Sequence, residues 1–176
     1  MNTITTTSRF ANEPVKIPAA VNENAGESKN TGLDNVIQKS ERKLLREALG
    51  DTQYAALQDA LGKEPFTVGS SETADDAYIE LVNGSSDSLW EGLRPLLDNF
   101  IYCEWMRVVE VKLNHVGSGK GKSQGFSVAD NSSKFAENWN TFVEKLCELE
   151  EYLGDAIELE RPEDFPVYET VNSLGL

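Results

Sequence analysis

The stretch SLWEGLRPLLDNFIYCEWMRVVEVKL, from Ser88 to Leu113, decides the fold of this chain. Its apolar residues recur at spacings of three and four, the period of a helix with one buried face. They are Leu89, Leu93, Leu96, Leu97, Phe100, Ile101, Trp105, Val108, Val109 and Leu113. Because this stripe is wide and aromatic, the pattern predicts the central helix of an all-α core.

Two local signals concern the start of this helix. Ser88-Leu89-Trp90-Glu91 has the Ser-x-x-Glu form of a capping box, which predicts a helix N-terminus at Ser88. Pro95 lies inside the pattern. We therefore expect either a kink at Pro95 or a short turn after which the main helix restarts there.

Three shorter helices are predicted before the central one. Helices over 33–49 and 51–61 meet at a tight corner, because Gly50 favours a helix end and Asp51 a helix start. We interpret the polar stretch Asn35–Lys43 as the solvated part of the first helix. The third helix begins near Thr73 and ends at Asn83-Gly84.

The last helix is predicted from Ser132 to Leu153, and Gly154 ends it. Its apolar stripe comprises Phe135, Trp139, Phe142, Val143, Leu146, Leu149, Tyr152 and Leu153. Both long stripes are too apolar to stay in contact with water. We therefore expect this helix to pack antiparallel to the Ser88–Leu113 helix, in a small helical bundle.

Polar termini flank this body and show neither a helical nor a strand period. The sequence predicts an extended N-terminal arm over 1–31, a helical domain over 32–154 and a C-terminal tail over 155–176. The isolated chain should be disordered in both termini. Their sparse apolar residues, Val15, Ile17, Phe165 and Tyr168, are expected to dock on a neighbouring subunit.

A glycine- and lysine-rich loop, Gly117–Gly125, precedes the last helix. Gly121-Lys122-Ser123 has the ending of a phosphate-binding loop, but Val116 stands where the first glycine should be and a helix precedes it. We therefore expect no nucleotide site. Lys120 and Lys122 are instead predicted to contact DNA or a neighbouring protein. The alternative, a solvated turn without contacts, stays open.

Charge and composition narrow the function classes. The chain has 30 acidic and 16 basic residues among 176, a formal net charge of −14. Proteins that grip nucleic acid neutralise phosphates with lysine and arginine, so this class is disfavoured. A protein that surrounds DNA without binding it is not excluded, because an acidic inner surface would repel DNA and let it slide.

Catalytic, cofactor-binding and metal-binding residues are not predicted. His115 is the single histidine, and a helix C-terminal residue explains it. Cys103 and Cys147 are expected to be buried reduced thiols. The acidic residues of the last helix fall opposite its apolar stripe, where we expect a solvated face. No signal peptide or membrane-spanning run is recognised, which favours assembly in a reducing compartment.

The middle of the chain resembles a known family. The run Tyr78–Gly84, a polar spacer, and then Trp90–Leu97 and Phe100-Ile101-Tyr102 are similar to the head–tail connector (neck or adaptor) proteins of tailed bacteriophages, as in phages of gut Bacteroidetes. A Leu49-Gly50-Asp51 corner, a glycine-containing loop and a last amphipathic helix extend the likeness, in order, over 33–153.

The resemblance implies a structural virion protein assembled in the host cytoplasm. Such proteins form a ring, commonly of twelve copies, that joins the portal protein to adjacent neck or tail proteins and lets DNA pass. It implies no catalytic residue or cofactor. The loop with Lys120 and Lys122 is richer in lysine and glycine than the family pattern leads us to expect. The alternative is a non-catalytic helical binding or regulatory module.

Overall fold

The computed structural model describes residues 2–12, 14–17, 31–63, 76–85, 89–115, 128–155 and 159–171. A short 3₁₀ helix, η1 (Thr7–Ala11), is followed by four α-helices: α1 (Thr31–Ala60), α2 (Asp76–Asn83), α3 (Leu93–His115) and α4 (Val128–Asp155). These described stretches contain no strand. The prediction of an all-α bundle is confirmed.

Helices α3 and α4 form the core pair, and they run antiparallel. The Phe100 and Phe142 rings pack with their centroids 4.9 Å apart. Nearer the start of α3, Glu91 pairs with Lys145 at 2.9 Å, whereas nearer its end the Arg107 guanidinium lies over the Trp139 ring at 4.7 Å. Along this series of contacts, residue numbers increase in α3 and decrease in α4, which confirms the predicted antiparallel pairing.

Helix α3 is the central element, because it also contacts α1, α2 and η1. Its residues Leu93, Leu96, Leu97, Phe100, Ile101 and Cys103 are all buried. Trp105, predicted as a core residue, is only partly buried against this core.

The predicted start of α3 is wrong. The helix begins at Leu93, so Pro95 lies in its first turn, which agrees with the alternative of a restart near Pro95. Leu89 is 95% exposed instead of buried. The capping-box pattern is overridden because the Trp90 indole turns back and donates a hydrogen bond to the Leu81 carbonyl at 2.9 Å.

Two glycines allow this turn. Gly84 and Gly92 have φ values of +91° and +95°, which favour glycine. A Cβ on Gly92 would lie 2.6 Å from the Gly84 nitrogen and 2.6 Å from the Val82 oxygen. The chain leaving α2 therefore crosses the chain entering α3 in direct backbone contact, and Ser85 N–H donates to the Trp90 carbonyl at 3.0 Å.

Helix α1 contains the predicted corner. Gly50 has φ +73° and ψ 165° inside it, so two helical segments meet there, as predicted. The interpretation of Asn35–Lys43 as solvated is wrong in part, because Ser40 and Glu41 are buried. They lie on the same face as Ile37 and Leu44, and the N-terminal residues cover that face.

The terminal residues that the structure describes belong to the same core as the helices. Phe10 and Ile17 from one end, and Leu159 and Phe165 from the other, are buried with it. This differs from the expectation of extended, disordered arms. The physical reason is that the bundle leaves grooves that these widely spaced apolar side chains fill.

Candidate functional site

The residues predicted to contact a neighbouring subunit lie largely in this chain's own core. Val15, Ile17 and Phe165 are buried, and Tyr168 is partly buried. They do not form one exposed surface, because they are packed in the core that the helices share. Lys120 and Lys122 lie outside the described residues. The predicted interface set therefore separates into two terminal segments, each packed on the bundle.

Residues 2–12 and 14–17, here called the N-terminal segment, pack against α1 and α3. The 3₁₀ helix η1 turns Phe10 into the core, where it is fully buried. Ile17 N–H then donates to the Phe10 carbonyl at 2.9 Å, so the chain folds back on itself. Ile4, Val15 and Ile17 complete the apolar contacts.

A buried carboxylate on α1 holds the start of this segment. Glu41 Oε1 accepts a hydrogen bond from Thr5 N–H at 2.6 Å, and Oε2 accepts one from Ile4 N–H at 3.1 Å. Burial raises the pKa of Glu41 to about 7, although both N–H groups favour the ionised form. The Thr5 hydroxyl is also buried near this carboxyl, but it makes no well-formed hydrogen bond.

A second acidic residue, Asp98 on α3, holds the segment further along. The Arg9 guanidinium donates through Nε to both Asp98 oxygens, at 3.0 and 2.7 Å, and Nη2 lies 2.5 Å from Oδ2. Burial raises the pKa of Asp98, and Arg9 opposes that rise. This two-nitrogen geometry fixes the orientation of the arginine as well as its distance.

A polar cleft of about 370 Å³ lies between the N-terminal segment and the first turns of α1. It is lined by Thr3, Thr5, Thr6, Thr7, Asp34, Ile37 and Gln38. Four of the seven lining residues come from the N-terminal segment. The cleft therefore exists only while that segment stays docked.

Residues 159–171, here called the C-terminal segment, form neither helix nor strand and pack across α4 and α1. Helix α4 binds the backbone of the segment directly: the Trp139 indole donates to the Glu169 carbonyl at 2.8 Å, and Asn140 exchanges two hydrogen bonds with Val171, at 2.8 and 2.9 Å. Phe165 is buried beneath the segment.

Tyr168 connects the C-terminal segment to both helices. Its ring meets the Trp139 and Phe142 rings edge-on, with centroids 5.7 and 5.2 Å away. Its hydroxyl donates to Glu47 on α1 at 3.1 Å. Burial and the neighbouring Glu47 carboxylate raise the pKa of Tyr168 to about 12, so the hydroxyl stays a donor over the physiological range.

Sequence reasoning missed Glu41 and Asp98. A signal for Glu41 was present, because it stands four residues after Ile37 and three before Leu44, on the apolar face of α1. A carboxylate in that register points to a buried partner. Asp98 gave a weaker signal: it stands three residues before Ile101, but Arg94 and Pro95 stand four and three residues before it.

The structure also describes the two cysteines, the histidine and the possible metal ligands. Cys103 is buried, as predicted, and burial raises the pKa of its thiol to about 12, so it is a poor nucleophile. Cys147 is exposed, which contradicts its predicted burial. His115 ends α3, as predicted. In the described part of the chain, no three His, Cys, Asp or Glu side chains are grouped to hold a metal ion.

Two broader findings complete the description. None of the helices, over the residues described, is long and apolar enough to cross a membrane. Neither a protein-family model, nor a curated protein, nor a solved structure matches this chain significantly.

Proposed function

We propose that this chain is a structural subunit of the head–tail connector of a tailed bacteriophage. In this proposal its copies form a ring in the neck of the virion, between the portal protein and the tail, through which DNA passes. The chain has no catalytic role there. Its copies make contacts with one another and with the proteins above and below them.

The observation that carries the proposal is the role of the motif residues. The resemblance rests on Asn83-Gly84 and on Trp90-x-Gly92-Leu93. Gly84 and Gly92 form the backbone crossing, and the Trp90 indole closes it onto Leu81. Apart from the exposed Asn83, these residues are explained by packing, without a substrate or cofactor. A motif of this kind suits a structural protein.

The charge supports a ring that encloses DNA. A subunit with a net charge of −14 would present DNA with a mainly repulsive wall, along which it can slide without being bound. Sequence-specific recognition would need basic residues directed at bases and phosphates. The expected contact with DNA is therefore passage, and any attractive contact falls to Lys120 and Lys122.

Two exposed apolar side chains are better candidates for contact with neighbouring subunits than the buried terminal residues. Leu89 at the entry to α3 and Val167 on the C-terminal segment both point into solvent. A closed ring joins two different patches of each subunit, so each copy needs two such surfaces. Val15, Ile17 and Phe165 are already buried within their own chain.

The test is the assembly state of the purified chain, alone and with a portal protein from the same genome. Native mass spectrometry and class averages from electron microscopy should show a closed ring of one stoichiometry. Val167→Asp should weaken the ring, whereas Thr170→Asp, an exposed polar position on the same segment, should not. A chain that stays monomeric with and without the portal protein contradicts the proposal and favours the binding-module alternative.

A second measurement concerns location. In the proposal, purified virions contain the chain at a fixed ratio to the portal protein, which quantitative mass spectrometry of the particles measures. A regulatory protein would be absent from mature particles. Absence of this chain from purified virions would contradict the proposal even if the isolated chain formed rings.

A further inference from the structure

The contact between Glu41 and the N-terminal segment combines features that oppose one another. Glu41 is 1% exposed, and its two oxygens bind successive backbone N–H groups of the segment. Among the residues that the structure describes, no lysine or arginine forms an ion pair with Glu41. A buried carboxylate without a cationic partner is unfavourable when it is ionised and much less so when it is protonated.

The charged and titratable groups around Glu41 come from three elements. Asp98 on α3 is negative and disfavours ionisation of Glu41, while Arg9 of the N-terminal segment is committed to Asp98. Arg94 on α3 also acts on Asp98. On α1, Tyr54 is the neighbouring titratable group, and its own pKa is raised by burial. The positive charges thus stabilise Asp98 and leave Glu41 uncompensated.

We propose that the N-terminal segment is a releasable element of the fold, and that protonation of Glu41 controls its docking on α1 and α3. When Glu41 is protonated, the segment is held by the contacts of Phe10, Ile17 and the Arg9–Asp98 pair. When Glu41 loses its proton, the buried negative charge favours release of the segment, which returns the carboxylate to water. The proposal concerns the single chain and does not depend on ring formation.

The sign follows from linkage. The docked state holds the Glu41 proton with a pKa of about 7, against the ordinary value of 4.5. Docking is therefore strongest below pH 4.5 and weakens as the pH rises toward and through 7. A difference of this size changes the docking equilibrium by up to roughly 100-fold. Burial also raises the pKa of Asp98, whereas its pair with Arg9 favours the ionised carboxylate, so the pH dependence is assigned to Glu41 and tested there.

Release would also change the surface of the molecule. The polar cleft beside α1 would be lost, because four of its lining residues leave with the segment. The apolar face that receives Phe10, Val15 and Ile17 would become accessible. A small change in pH near neutrality would thus alter which surfaces the chain can offer.

The test is amide hydrogen exchange of the full chain between pH 5 and 8, corrected for the intrinsic exchange rates and read by peptide. Protection of residues 2–12 should fall by roughly 100-fold across this range, while protection of α4 changes little. Glu41→Gln removes the titration, so the pH dependence of the segment should disappear. Glu144→Gln removes an exposed carboxylate on α4 and should keep the wild-type profile.

Phe10→Ala provides a second reading that leaves Glu41 unchanged. It should lower protection of the segment at every pH and preserve the ratio between pH 5 and pH 8. The proposal is overturned by a flat wild-type profile, by an equal loss of protection in the segment and in α4, by a pH dependence that persists in Glu41→Gln, or by its loss in Phe10→Ala. A flat wild-type profile overturns the proposal by itself, so the test stands even if one variant fails to fold.

Discussion

Two stretches of backbone come into contact at Gly84 and Gly92, so single residues are important for this fold. Both residues have positive φ. A Cβ on Gly84 would meet the backbone of Trp90 and Glu91, and a Cβ on Gly92 would meet the backbone between Val82 and Gly84. The Trp90 indole, in the stretch between these two glycines, donates a hydrogen bond to the Leu81 carbonyl. The direction of α3 relative to α2 is therefore set by contacts between backbone atoms, which cannot rotate away as side-chain atoms can.

Gly92→Ala should destabilise the chain by roughly 2–4 kcal/mol, because strain at a positive φ adds to a clash with rigid atoms. Gly154→Ala is the matched control: its Cβ would meet no atom within 4 Å, and it lies in α4. That change should stabilise by about 0.5–1 kcal/mol through helix propensity. Urea denaturation measures both. Similar free energies of unfolding for the two variants would contradict the importance of the crossing.

The tryptophans of the core pair should differ in their contribution. Trp139 is 6% exposed, contacts three aromatic rings and donates to the C-terminal segment, so Trp139→Ala should cost roughly 3–5 kcal/mol. Trp105 is only partly buried, so Trp105→Ala should cost about 1–2 kcal/mol. Thermal or urea unfolding distinguishes them, and an equal or reversed order would contradict the observed packing.

At the scale of elements, the sequence was sufficient for the helices and insufficient for the segments between and beyond them. The antiparallel pairing of α3 with α4 could be predicted because each carries a long periodic stripe that must be buried. The start of α3 could not, since Ser88-x-x-Glu91 is a local signal and the Trp90–Leu81 contact is made across a turn.

The terminal segments could not be predicted for a different reason. Their apolar residues, such as Phe10, Ile17 and Phe165, follow neither a period of 3.6 nor one of two. Whether such residues are buried depends on grooves that exist only after the helices have packed. Glu41 was interpreted as solvated on the same grounds, because the segment that covers it had been predicted to be disordered.

The C-terminal segment should behave as a folded element of the isolated chain. Phe165→Ala removes a side chain that is buried in the core, so it should cost roughly 3–5 kcal/mol. Val167→Ala, two residues along the same segment, removes an exposed side chain and should change stability by less than about 0.5 kcal/mol. If Phe165→Ala left urea unfolding of the monomer unchanged, the segment would not be docked in solution.

At the scale of the whole molecule, both segments serve to join helices that are distant in sequence. The N-terminal segment connects α1 to α3 through Glu41 and Asp98. The C-terminal segment connects α4 to α1 through Trp139 and Glu47. The first contact contains an uncompensated carboxylate and the second does not. The N-terminal side is therefore the one whose stability should respond to pH.

Net charge sets how such subunits associate. Copies that each carry −14 repel one another, and the repulsion between exposed charges weakens as salt shortens the screening distance. The proposed ring should therefore become more stable as salt rises from low concentration. Lys120 and Lys122 lie close together in sequence and supply two of the 16 basic residues.

Lys120→Ala with Lys122→Ala should weaken assembly about tenfold at 0.1 M salt and much less at 0.5 M, if the loop contacts an acidic neighbour. Lys39→Ala with Lys43→Ala makes the same change of charge at exposed positions of α1 and serves as the control. Sedimentation at a series of salt concentrations measures both. A loss confined to the loop variant supports a specific contact there. Equal losses would mean that only net charge matters, and the interpretation of the loop as a solvated turn would then be correct.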